Sequence, residues 1–117
     1  MKRWRLAVVT GITAAALAAS AVPAYATHEI NWAECQLGFD NYFVIGMTAD
    51  NGLGTRRCFA DAGDLWIDQD RVTSFDSGNN EGYFEYEPGD GGLYRHTFGK
   101  NESITKDYGI ITTLHIN

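Results

Sequence analysis

The feature that most constrains this chain is a two-residue hydrophobic rhythm that recurs along it, with no sustained apolar period of 3.6 anywhere in its last 91 residues. In Tyr42–Thr48, Phe43, Ile45 and Met47 share one face. In Gly82–Glu87, Phe84 and Tyr86 face one way while Tyr83, Glu85 and Glu87 face the other. In Leu93–Phe98, Tyr94, His96 and Phe98 alternate with Leu93, Arg95 and Thr97. In Ile110–Asn117 the pattern puts Ile110, Thr112, Leu114 and Ile116 on the buried side. Alternation of this kind marks half-buried strands, because successive strand side chains point to opposite faces. Shorter strands are expected at Glu29–Cys35, Thr55–Ala60 and Leu65–Phe75, the last one bent.

Turn chemistry separates these runs. Asn51-Gly52 is a short hairpin signal, and Ser77–Gly82 and Pro88–Gly92 supply Gly and Asn for positive-φ positions. About seven short strands with closely spaced turns predict an all-β sandwich in one domain.

The first 26 residues read differently. A basic Met1–Arg5 segment, an alanine-rich apolar run and small residues at Ala24 and Ala26 form a secretory signal, with cleavage expected after Ala26. The run is diluted by Thr10, Gly11, Thr13 and Ser20, which argues against a membrane-spanning helix. Domain boundaries are therefore 1–26 for the signal and 27–117 for the folded unit, a secreted, extracellular protein. The exported part keeps all 15 acids but loses Lys2, Arg3 and Arg5, leaving 9 − 3 = 6 bases and a formal charge of −9. Such a surface repels phosphate backbones, so nucleic acid is not an expected partner. Cys35 and Cys58 are the only cysteines, both in the exported part, where oxidation is permitted; they are expected to pair.

Several stretches then resemble a known family. "INWAEC", Cys58-Phe59-Ala60-Asp61-Ala62-Gly63, the Ser77-Gly78-Asn79-Asn80 turn and a terminal "TTLHIN" strand are similar to the β/γ-crystallin superfamily, in particular its small secreted, actinobacterial killer-toxin-like branch. The resemblance implies two Greek-key units packed as a sandwich, His28–Ser77 and Gly78–Asn117, and a Cys35–Cys58 bridge. It also implies a calcium loop at Gln69–Ser74, with Asp70, Thr73 and Ser74 as ligands. Gln69 departs from the Asp or Asn the family has first, and the second unit carries no clean copy, so the expected site is weak or degenerate. Asp68, Asp76, Glu85 and Glu87 could add oxygens, since calcium takes six to eight.

Catalysis is not expected. Asp68/Asp70 and Glu85/Glu87 have the spacing of any acidic strand face, and no apolar pocket to raise one acid is evident. His28, His96 and His115 have neither a free cysteine nor a G-x-S-x-G elbow to act with. The resemblance points to a killer-toxin-like antifungal or antimicrobial protein, a monomer acting on an extracellular target. Alternatives are an inhibitor of an extracellular enzyme presenting residues 48–54, or a carbohydrate-binding module using outward aromatics such as Tyr83 and Tyr108.

Overall fold

A computed structural model describes residues 26–117, the side chain of Phe39 excepted; the expected signal lies almost wholly outside them. The elements are β1 (His28–Ile30), α1 (Trp32–Leu37), a 3-10 turn (Phe39–Asn41), β2 (Phe43–Thr48), β3 (Gly54–Ala60), β4 (Gly63–Asp76), β5 (Gly82–Glu87), β6 (Tyr94–Phe98) and β7 (Ser103–Ile116). The class is all-β, as the alternation requires. The strands form one antiparallel sheet in the order β1-β3-β2-β4-β7-β5-β6. Strands from residues 28–76 occupy one side of that order and those from 82–116 the other, joined by the long β4–β7 pair.

The sheet curls over on itself. A flat sheet would separate β2 from β6 by four strand spacings, about 19 Å. Yet the Phe43 and Phe98 ring centroids lie 4.8 Å apart, and Phe75 meets Phe84 at 5.1 Å. The bend comes from β4 and β7. Their ladder shifts register between Trp66 and Gln69, again before Val72 and again before Ser74, and Asp68 and Arg71 have positive φ. Extra residues of this kind bend a strand and increase its twist. The core that results is largely aromatic: Phe43, Phe59, Phe75, Phe84, Phe98 and Tyr108, filled in by Ile45, Val72, Ile111 and Leu114. A second small cluster, Cys35, Cys58 and Val44, lies on the opposite face of β2 and β3.

Three expectations need correction. Residues 29–35 are not one strand: β1 stops at Ile30 and α1 begins at Trp32, capped by Asn31, whose Oδ1 accepts the Glu34 N–H at 2.8 Å. An Asn followed three residues later by Glu is a helix-start signature, and here it overrides the strand pattern. In β7 the buried set is Ile111, Leu114 and Ile116, with Ile110 only half-buried, because the β5 register jumps from Thr113 to Ile111 and leaves Thr112 as an extra residue. Thr112 is itself buried, its hydroxyl donating to the Glu85 carbonyl at 3.2 Å. Tyr108 is not an outward ring; it is 1 % exposed against Phe84 and Tyr86, and burial pushes its phenol up to about 12. Gly109 next to it has φ +73, and a Cβ there would lie 2.5 Å from the Glu87 carbonyl oxygen, so that bend requires glycine.

Candidate functional site

The outer face of β2, β3 and the second half of β4 carries the most developed concavity. Along β2, Val44, Gly46 and Thr48 point away from the core. Val44 is covered by α1, which the Cys35–Cys58 disulfide ties to β3 across a Cα–Cα distance of 6.2 Å. Past the helix the cover ends and a groove of about 560 Å³ opens, within the range of small-ligand sites. Gly46 lies at its floor beneath Ser74; a Cβ there would come within 2.3 Å of the Ser74 Oγ. Trp32 and Arg56 supply side groups, and Thr48 and Thr73 pair their hydroxyls at 3.0 Å. A smaller cavity of about 190 Å³ shares Gly46, Arg56 and Ser74 and continues toward Asp76, Ser103 and Thr105. The trough thus carries the hydroxyls of threonines and serines, one indole, one guanidinium and the Asp76 carboxylate, with Val44, Met47 and Phe75 as apolar lining.

The expected calcium residues divide at this site. Thr73 and Ser74 line the groove, whereas Asp70 lines an adjoining dent of about 140 Å³ with Arg71 and Gln69, which shares Met47, Thr48 and Thr55 with the groove. The Gln69 amide donates to the Asp70 carbonyl at 3.0 Å and to its carboxylate at 3.2 Å, while its oxygen accepts from Arg57 at 3.0 Å. Arg57 in turn holds Glu29 with bonds of 2.9 and 2.7 Å, which keeps that carboxyl below its ordinary range. Asp76 receives the Gly78 N–H at 2.9 Å and so serves the turn. Glu85 bonds to Arg95 and Thr113, both at 3.0 Å, and these bonds lower its pKa. Among the described residues, no three of His, Cys, Asp and Glu converge as a metal set.

Tyr83 points away from the core, and its ring already has two partners. The Arg95 guanidinium lies 3.8 Å from its centroid and the His115 ring stacks at 4.9 Å. Each histidine has a carboxylate partner: His28 with Asp61 at 3.6 Å, His96 with Glu102 at 3.1 Å and His115 with Asp64 at 2.8 Å.

The segment 48–54 is the β2–β3 turn. Ala49 N–H donates to the Leu53 carbonyl and Gly52 N–H to the Ala49 carbonyl, both at 2.9 Å, and Leu53 N–H donates to Asn51 Oδ1 at 3.0 Å. Arg71 clamps Asp50 from the side, and Leu53 at the tip is 65 % exposed.

Sequence reading missed the groove because its parts are distant in the chain. Gly46 and Ser74 meet through the β2–β4 ladder, and Trp32 arrives on a helix that the alternation concealed. Among the described residues, no helix is long and apolar enough to cross a membrane. No protein family, curated protein or solved structure matches the chain.

Proposed function

We propose that this chain is a secreted, non-enzymatic binding domain of β/γ-crystallin type, whose groove takes a saccharide of a microbial surface. A killer-toxin-like action on competing cells is the biological outcome that fits. Two features support the crystallin comparison: the sheet order groups residues 28–76 apart from 82–116, near the expected boundary at Ser77/Gly78, and the two halves pack through one aromatic core. The groove carries the saccharide reading. Sugars present hydroxyls that both donate and accept, which Thr48, Thr73 and Ser74 can match, and apolar ring faces suited to an indole such as Trp32. Arg56 brings a planar guanidinium to the same groove.

Glycan-array screening followed by titration calorimetry tests this. Trp32→Ala is expected to weaken binding of the best glycan about tenfold, the equivalent of ~1.4 kcal/mol. Trp66→Ala, an equally conspicuous exposed indole outside the groove, should leave affinity unchanged. An array without hits, or equal losses in both variants, overturns the assignment.

The turn at 48–54 favours a second reading, a secreted inhibitor of an extracellular enzyme. Its internal hydrogen bonds and the Arg71 clamp hold Leu53 forward in one conformation, which reduces the ordering cost of docking. In that case a protease panel finds a target, and Leu53→Asp abolishes inhibition while the fold persists. No inhibition across the panel removes this reading.

A further inference from the structure

In the uncut chain Thr27, the residue expected to begin the exported form, is 3 % exposed with Ala26 still attached. Leading residues of a domain are ordinarily loose unless something ties them down. Here the Thr27 hydroxyl donates to the Asp61 carbonyl at 2.7 Å, a contact spanning 34 positions. Its backbone nitrogen lies against Gly63, where a Cβ would approach it to 3.0 Å; Gly63 has φ +133. The β1–β3 register pairs His28 with Ala60, so Thr27 comes next, opposite Asp61. The Asp61 carboxylate reaches back to the His28 ring at 3.6 Å. Asp61 also has φ +70; its carbonyl bonds the Thr27 hydroxyl, and its half-exposed carboxylate stands beside the His28 ring. Ala26, just before, is exposed.

From this socket we infer that signal cleavage does structural work: the α-ammonium it creates on Thr27 docks at the Asp61–Gly63 turn and pairs with the Asp61 carboxylate. The inference rests on secretion with cleavage after Ala26 and is independent of what the groove binds. A partly buried ammonium is tolerated only beside an opposite charge, and Asp61 supplies it in register. The uncut chain has a neutral amide at that nitrogen, and cleavage also removes the Ala26 carbonyl that lies 3.0 Å from the His28 Nδ1. Processing strengthens the corner where β1, the β3–β4 turn and the start of β4 meet because the new charge pair outweighs that lost contact. A start one residue earlier would carry the ammonium out to the exposed Ala26 position.

The full chain is expressed in a secreting bacterial host, and the protein from the medium is weighed intact. The expected mass corresponds to a Thr27 start; any other start overturns the inference. Melting is then compared with a chain beginning at Ala26, released from a fusion by a specific protease, in native and Asp61→Asn backgrounds. The Thr27 form should melt higher by about 3 °C, and that gap should vanish with Asp61→Asn. Equal melts, or a gap that survives Asp61→Asn, overturn it. Because glycan binding is not the readout, failure of the groove assignment leaves this result unaffected.

Discussion

Phe84→Ala is expected to remove about 3–5 kcal/mol of stability, the usual cost of emptying a fully buried aromatic site. Phe84 is 0 % exposed and touches rings from both sides of the curled sheet: Phe43 and Phe75 from β2 and β4, Phe98 from β6 and Tyr108 from β7. No neighbour can collapse into the space without drawing the two layers together, and the β4–β7 bends fix their separation. Small domains have roughly 5–15 kcal/mol in total, so the variant should sit near the edge of folding. Phe84→Leu keeps most of the volume and should be much milder, about 1.5 kcal/mol or less. Urea unfolding followed by near-ultraviolet circular dichroism measures both. A Phe84→Ala cost under about 1 kcal/mol would mean that the layers are not held through this ring.

The same ring shows why much of the fold was legible in the sequence. Phe84 stands in a clean alternation, as do Phe43, Ile45 and Met47, and strands that stay regular keep the faces their pattern assigns. Legibility fails where a strand changes phase. At Thr112 one extra residue exchanges Ile110 for Ile111 in the core, and nothing in "IITTLHIN" distinguishes the two before the β5 partner is known. Asp68 and Arg71 turn into positive φ without being glycines, a tertiary outcome that local preference opposes. The α1 start was legible in principle, since Asn31 and Glu34 form a capping pair, but only six residues follow and the strand pattern ran through them. Thr73 and Ser74 are expected from the sequence as oxygen ligands, and the structure places both on the wall of the groove. The register brings Gly46 opposite Ser74, and Thr48 meets Thr73 through its hydroxyl, while Asp70 lies in the adjoining dent with its carbonyl and one carboxylate oxygen bonded to Gln69.

Removing the disulfide as Cys35→Ala/Cys58→Ala should have two separable effects. The first is on stability. A bridge across 23 positions restricts the unfolded chain by roughly 3 kcal/mol, and the melting temperature should fall by about 15 °C. The second is on the groove. A six-residue helix is far too short to persist alone. Its one buried residue is Cys35, so the bridge is expected to be the main tie that keeps α1 on the sheet and, with it, Trp32 at the groove wall. The alanine pair should therefore lose glycan affinity about as much as Trp32→Ala does, while the β-type far-ultraviolet spectrum below the new midpoint is retained. Adding Trp32→Ala to the alanine pair should then cost little more, because the indole has already left; additive losses would show that Trp32 keeps its place without the bridge. Identical melts for the native and alanine-pair proteins would show that the sheet holds the helix by packing alone. On the proposed reading, the groove's floor comes from the strand ladder and forms with the sheet, while its aromatic wall is expected to be set only once the two sulfurs join.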